Sequence, residues 1–143
     1  MGTSEHSDAD LAVDWQDLIG RFDRPEALAL VLSGSYARGD ANPLSDVDLV
    51  RFTAETAPSL PGSGSHLLDD RLVVVTDVPA GEVESYFVQP ELAVGRIPGL
   101  RQARPLRDRD GVFAALQARA HAFVWDAAMQ ARADAYASRA MVG

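Results

Sequence analysis

The sequence predicts an α/β fold class, with a β-sheet flanked by helices, from two kinds of apolar pattern. Short runs with the composition of buried strands recur along the chain, and those at residues 28–32 and 72–76 are almost continuously aliphatic. Segments with apolar residues three and four positions apart lie around these runs. Strand runs interspersed with helical segments favour a sheet covered by helices.

Three strands follow from the apolar runs. The first covers residues 26–33 and is expected to be buried on both sides, because hardly any polar residue interrupts it. The second covers residues 46–52, where apolar and charged residues alternate. The third covers residues 67–78 and is centred on a run of valines.

Besides a short helix predicted at residues 36–40, helical patterns occur in four places. The first has Asp8 or Asp10 as its N-cap and a single apolar face made of Leu11, Trp15, Leu18, Ile19 and Phe22. The second covers residues 81–88 and ends before Pro90. A third begins at Val112, and an alanine-rich fourth covers residues 126–142.

Other stretches are expected to lack regular structure. Residues 1–8 are polar and are expected to be loose. Residues 53–65 are rich in Pro, Gly and Ser, which predicts a flexible connection. Residues 92–97 predict a short strand or irregular chain, followed by a turn at residues 98–99.

The densest group of chemically useful residues follows the first strand. Asp46 and Asp48 are two positions apart, so on a strand their carboxylates point to the same side. Two such carboxylates repel each other unless a cation lies between them, and Mg²⁺ is the usual hard cation with oxygen ligands. Gly34 and Ser35 form a strand-to-helix turn whose N–H groups and hydroxyl can bind phosphate. Phosphate and metal would then meet at one site.

Read in order, Gly34-Ser35, Gly39 and residues 45–49 (Ser-Asp-Val-Asp-Leu) resemble the signature of the DNA polymerase beta-type nucleotidyltransferase superfamily. The likeness is greatest to its minimal and antibiotic-modifying bacterial branches. It implies a mixed twisted sheet with helices on one side. It also implies transfer of a nucleoside monophosphate from a Mg²⁺-bound NTP, with ATP as the expected donor.

The resemblance also assigns roles to residues. Asp46 and Asp48 would bind the metal and act in catalysis. The residues assigned to the nucleotide are Gly34, Ser35, Arg38 and Ser45. Arg38 can either steer phosphate or form a salt bridge with Asp40. A late strand at residues 101–106, followed by a turn at residues 108–111, also fits the superfamily.

Relatives in this superfamily supply a third carboxylate from a strand antiparallel to the Asp-x-Asp strand. Asp77 is the candidate for this catalytic and metal-binding role, since the end of an antiparallel third strand would lie beside Asp46. The alternative is that Asp77 caps the next helix. If it does, another acid must act as the base, and those available are Asp69, Asp70, Glu82 and Glu84.

Composition and net charge restrict the acceptors, the chemistry and the location that are expected for this chain. The net charge of the 143 residues is −8, which disfavours nucleic acid and suits a cationic, hydroxylated small molecule. There is no cysteine, so disulfides and thiolate chemistry are excluded. No apolar run is long enough to cross a membrane and the N-terminus has no leader pattern, so a cytoplasmic location is expected.

The domain prediction is a nucleotidyltransferase domain at residues 1–125 and a C-terminal helix at residues 126–143. That helix would begin a helical second domain or contact a partner, including a second copy of the chain. Three functions stay open: nucleotidylation of a small molecule, an antitoxin-like module that modifies or binds a partner protein, and a degenerate module that binds nucleotide without turnover.

Overall fold

The computed structural model describes residues 13–54 and 59–142. Its strands are β1 (Ala27–Ser33), β2 (Val47–Thr53), β3 (Gly64–Leu68), β4 (Arg71–Pro79) and β5 (Arg104–Asp108). Its helices are α1 (Trp15–Phe22), α2 (Gly34–Arg38), α3 (Ala80–Tyr86), α4 (Pro90–Gln102), α5 (Val112–Ala122) and α6 (Ala127–Val142). None of the helices within these residues has the length and apolar character needed to span a membrane.

The five strands form one mixed sheet in the order β3-β4-β2-β1-β5. Strand β1 is antiparallel to both β2 and β5, whereas β2 and β4 are parallel. In the β1–β2 register, Ser33 lies opposite Asp48. The predicted mixed sheet with flanking helices is confirmed.

Helices lie on both faces of the sheet, not on one side as the resemblance implied. Helix α1 packs on one face through Leu18, Ile19 and Phe22, and we call this the α1 face. Helices α3 to α6 pack on the other, which we call the helical face. Successive residues of a strand point to opposite faces, so β1 contributes to both cores and is buried along most of its length.

The first helix begins later than its apolar pattern suggested. The Asp14 carboxylate accepts a hydrogen bond from the backbone N–H of Asp17 at 3.0 Å and caps α1. The earlier cap candidates Asp8 and Asp10, the apolar Leu11 and the stretch 1–8 lie outside the described residues.

The predicted third strand is two strands joined by a tight turn. Asp69 and Asp70 both have positive φ angles, of 49° and 63°, and they reverse the chain between β3 and β4. Both residue types tolerate this left-handed conformation better than most. Strand β3 starts within the stretch expected to be a flexible connection, of which residues 55–58 lie outside the described residues.

The prediction of a strand or irregular chain at residues 92–97 and a turn at residues 98–99 is wrong, because helix α4 runs through both. Pro90 is at the start of α4, where its missing N–H costs nothing. Pro98 lies inside the helix and removes one backbone hydrogen bond there. Packing compensates for this loss, since Ile97 and Leu100 are buried against the helical face of the sheet.

The late strand and its turn occur close to where they were expected. Strand β5 is Arg104–Asp108, and the Asp108 carboxylate accepts hydrogen bonds from the backbone N–H groups of Phe113 and Ala114 at 2.7 and 2.9 Å. These bonds cap α5, which then packs on the helical face. The last helix, α6, folds back onto the same core through the buried Met129.

One buried ion pair ties the α1 face together. Arg51 on β2 is fully buried, and its Nε lies 2.6 Å from the Asp77 carboxylate on β4. Each of the five guanidinium N–H groups has an acceptor, and the four residues that provide them are Asp77, Phe22, Leu60 and Pro61. Asp77 also accepts the backbone N–H of Leu60 at 2.7 Å. The pair therefore joins β2, β4, the end of α1 and the chain before β3.

We predict that Asp77→Asn lowers the free energy of unfolding by about 3–5 kcal/mol, because it leaves the Arg51 charge buried without a counter-charge. Urea denaturation followed by circular dichroism measures this change. Asp17→Asn is the matched control, since Asp17 pairs with Arg21 on the surface, and it should cost less than about 1 kcal/mol. Equal losses in the two variants would contradict a stabilising role for the buried pair.

Candidate functional site

The site begins where β1 turns into α2. Gly34 has a φ angle of +70°, and a Cβ placed there would lie 2.4 Å from the Oδ2 atom of Asp48. Only glycine combines this conformation with so close an approach. The Gly34-Ser35 turn, the predicted phosphate-binding element, is therefore packed directly against the carboxylate predicted to bind metal.

The two predicted metal ligands lie near each other at the start of β2. Asp48 is on the strand and half-buried, whereas Asp46 is exposed just before it. Burial raises the pKa of the Asp48 carboxyl, the charge of Asp46 raises it further, and the charge of Arg38 lowers it. The site thus holds more negative charge than its surroundings offset.

Ser35 and Arg38 are both on the short helix α2. Ser35 is half-buried at the turn. Arg38 is exposed, and its Nε lies 3.3 Å from the Asp40 carboxylate, so the salt bridge considered from the sequence does form. The electrostatic effect of Arg38 on Asp48 nevertheless places its charge within reach of the acidic site. An exposed pair of this kind is weak, so it can exchange for another anion.

Ser45 shapes the loop that leads to the acidic residues. Its hydroxyl accepts a hydrogen bond from the backbone N–H of Asn42 at 2.9 Å, and the Asn42 side chain accepts one from the N–H of Leu44 at 2.8 Å. These bonds close a tight turn just before Asp46. In this structure Ser45 positions Asp46, and a nucleotide contact by Ser45 stays a prediction.

The third predicted strand was expected to run antiparallel to the Asp-x-Asp strand. This prediction is wrong, because β4, which carries Asp77, runs parallel to β2. Asp77 lies opposite Arg51 in this register and points to the α1 face, where their ion pair occupies it. Asp48 points to the helical face. A catalytic or metal-binding role for Asp77 does not fit this geometry, nor does Asp77 cap the next helix, since α3 has no side-chain cap.

No carboxylate from β4 takes the place expected for Asp77. The β4 residues that alternate onto the helical face beside Asp48 are Val74 and Thr76. The other acids considered, Asp69, Asp70, Glu82 and Glu84, lie on the β3–β4 turn or on α3. Within residues 13–54 and 59–142, no group of three or more His, Cys, Asp or Glu side chains is arranged to hold a metal ion.

Two carboxylates are still a suitable partial donor set for Mg²⁺. This ion is usually bound through one or two carboxylates, with waters and substrate phosphates completing the octahedron. Asp46 and Asp48 would supply the carboxylates, and the Gly34-Ser35 turn, the predicted phosphate-binding element, adjoins Asp48. The residues therefore fit a metal that binds together with a nucleotide.

The sequence reading missed a groove that opens beside Asp48 on the helical face. Helix α4 forms one wall, and the side chains of Arg96 and Tyr86 line it together with Gly95 and Gly99. The two glycines are four positions apart, the spacing of one helical face. That spacing is a usable signal for a helix, but Pro98 lies between the two glycines and favours the strand or irregular chain and the turn that the sequence predicts there.

We predict that Gly34→Ala destabilises the protein more than Gly39→Ala does. Both glycines have positive φ, which costs an alanine about 1–2 kcal/mol, but a Cβ at Gly39 meets nothing within 4 Å. The excess cost at Gly34 measures the clash with Asp48, and the double variant Gly34→Ala/Asp48→Ala should remove it. Equal unfolding free energies for the two single variants would show that the close approach is absent.

We also predict that Asp48→Asn raises the melting temperature of the metal-free protein at pH 7. Because the folded-state pKa of Asp48 is raised, its ionised form opposes folding, and the wild-type protein should gain stability as the pH falls through that pKa. The melting temperatures of the wild type and the variant are measured in EDTA between about pH 4 and pH 8, in steps of about one pH unit. A lower melting temperature for the variant would contradict charge crowding at this site.

Comparisons with known proteins agree with this geometry. The description "nucleotidyltransferase domain" belongs to the family whose profile matches residues 17–102. A nucleotidyltransferase-like protein from Exiguobacterium sibiricum is similar in structure, with a TM-score of 0.53 and 13% sequence identity. That similarity covers 76% of this chain and 38% of the other, so the chain spans well under half of that protein. No curated protein matches the chain. Because the matched segment is more than half of the chain and contains the turn and both acids of the site, the chain belongs to the nucleotidyltransferase family.

Proposed function

We propose that the protein transfers a nucleoside monophosphate from a Mg²⁺-bound NTP to the hydroxyl of a small molecule or protein acceptor, releasing pyrophosphate. The observation that carries this proposal is the packing of Gly34 against the Asp48 carboxylate. It supports a shared site for phosphate and metal, which is what this reaction needs. ATP is the donor that we propose to test first.

In this proposal, different residues bind the phosphates and the metal ion. The Gly34-Ser35 turn offers backbone N–H groups and a hydroxyl to the phosphate oxygens. Arg38 can release Asp40 and offset phosphate charge. Asp46 and Asp48 would hold Mg²⁺, which when bound offsets charge on the α-phosphate and on the leaving pyrophosphate.

The transfer itself forms one bond and breaks another. The acceptor oxygen bonds to the α-phosphorus, the bond from that phosphorus to the bridging oxygen breaks, and pyrophosphate leaves with that oxygen. The acceptor hydroxyl must also lose its proton. Asp48 is the carboxylate that lines the groove beside the site, so an acceptor in the groove would have its hydroxyl next to a residue that would hold the metal, and a metal there would favour loss of that proton.

A second function is favoured by one specific observation. Val74 and Thr76 lie where a third carboxylate on the neighbouring strand would face Asp48. A domain that binds nucleotide, or a partner protein, without turnover would need no such group. Binding and transfer must therefore be measured separately.

We predict that an NTP binds in Mg²⁺ and not in EDTA, and that Asp48→Asn abolishes this binding. Isothermal calorimetry with ATP, GTP, CTP and UTP measures it without knowledge of the acceptor. Asp134→Asn is the matched control, because Asp134 is an exposed acid on α6, away from the site. Binding of equal strength in Asp48→Asn and the wild type would sink the proposed donor site.

Turnover is then followed as pyrophosphate release in the presence of candidate acceptors. Release that depends on both Mg²⁺ and Asp48 would support the transferase. Tight nucleotide binding without release for any acceptor class would favour the binding module instead. A cytoplasmic location and a second copy of the chain as partner also stay proposals.

A further inference from the structure

The groove beside Asp48 is a defined cavity of about 320 Å³ between α4 and the helical face of the sheet. Its floor is apolar and includes Val31, Val50 and Phe52. Its helical wall has two positions without side chains, Gly95 and Gly99, where an added Cβ would meet nothing within 4 Å. The cavity is thus open enough, and apolar enough, to take a ring-sized organic molecule.

The two charged groups of the groove lie apart along α4. Ala103 directly follows α4 and precedes Arg104, which pairs with Leu32 on β1. The next residue of β1, Ser33, pairs with Asp48, so the C-terminal end of α4 lies near Asp48. Arg96 is seven positions before Ala103, which corresponds to roughly 10 Å along a helix.

Among the described residues that line the groove, Arg96 is the cation. It forms no ion pair with a carboxylate of the described residues. Its guanidinium carbon lies 5.9 Å from the ring centroid of Tyr86. Two other arginines near α4 are already engaged, Arg119 with the Glu84 carboxylate and Arg101 with the carbonyl oxygens of Ala120 and Phe123. Arg96 is therefore available to an anion that enters the groove.

We propose that this groove is the acceptor site and that the acceptor is a hydroxylated aromatic or aliphatic molecule with an anionic group roughly 10 Å from its hydroxyl. This inference rests on the proposed transferase function. The hydroxyl lies at the Asp48 end, the apolar body lies on the floor of the groove, and the anion pairs with Arg96.

This acceptor differs from the cationic molecule that the net charge of −8 favoured. Net charge acts over the whole surface and is screened within about 10 Å at moderate salt. Inside the groove, contact distances decide, and a polycation would place ammonium groups against Arg96 and an apolar floor. The described lining offers such groups one carboxylate, that of Asp48.

Two probes with the same phenol ring and opposite charge test the proposal, namely 3-(4-hydroxyphenyl)propionate and tyramine. We expect the propionate to bind the protein at least tenfold more tightly than tyramine does, as measured by calorimetry or by NMR shifts of α4 amides. Arg96→Gln should abolish this preference, because it removes the charge and keeps a polar side chain of similar reach. Tyramine binding that equals or exceeds propionate binding would overturn the proposal.

A second test of the proposal fills the groove with a larger side chain. Gly99→Leu should weaken propionate binding at least tenfold without affecting Mg²⁺-dependent nucleotide binding. Gly20→Leu is the matched control, since Gly20 is an exposed glycine of α1 with nothing within 4 Å of an added Cβ. Unchanged propionate binding in Gly99→Leu would overturn the inference, and so would selective loss of nucleotide binding, which would assign the groove to the donor base.

The two proposals fail in different ways. Probe binding is measured without metal or nucleotide, so it does not depend on the donor site. Absence of Mg²⁺-dependent nucleotide binding in the wild type would count against the proposed function, and with it the acceptor role of the groove, even if the charge preference for the probe were observed. Failure of the charge preference with an intact donor site would count against the acceptor class alone.

Discussion

The buried pair of Arg51 and Asp77 is the interaction on which the arrangement of the sheet depends. All five guanidinium N–H groups have hydrogen-bond acceptors. Because both side chains are buried, removing either partner would leave the other charge without compensation, which is strongly destabilising. Because the pair requires these residues side by side, it matches the parallel register of β2 and β4. Asp48 is three positions from Arg51 on the same strand and points to the opposite face, so the carboxylate of the buried pair and the proposed metal ligand are separated by the sheet.

On the helical face, steric and electrostatic constraints act on the same atoms. The turn at Gly34 leaves no room for a side chain beside Asp48, which brings backbone and carboxylate together. The result is a half-buried carboxylate whose pKa is raised by burial and raised further by the charge of Asp46. A cation shared with phosphate oxygens would offset this negative charge, which is consistent with the proposed metal and nucleotide.

Helix α4 forms one wall of the groove beside Asp48, so its side chains limit which molecules could bind there. Its buried side chains hold it on the sheet despite Pro98, and its two glycines keep the wall beside Asp48 low. Arg96 brings a positive charge to a groove in a strongly acidic protein. The proposed donor and acceptor sites therefore meet at Asp48, which lies against the Gly34-Ser35 turn and also lines the groove.

The sequence by itself determined the elements whose signals are local. The apolar run of β1, the Gly34-Ser35 turn and the spacing of Asp46 and Asp48 depend on neighbours in the chain, and the structure has the elements they predicted. The role of Asp77 depended on strand direction and register, which arise from contacts between distant residues such as Arg51. Helix α4 and its groove were missed for a related reason: Pro98 opposes a helix locally, and only burial against the sheet outweighs that preference.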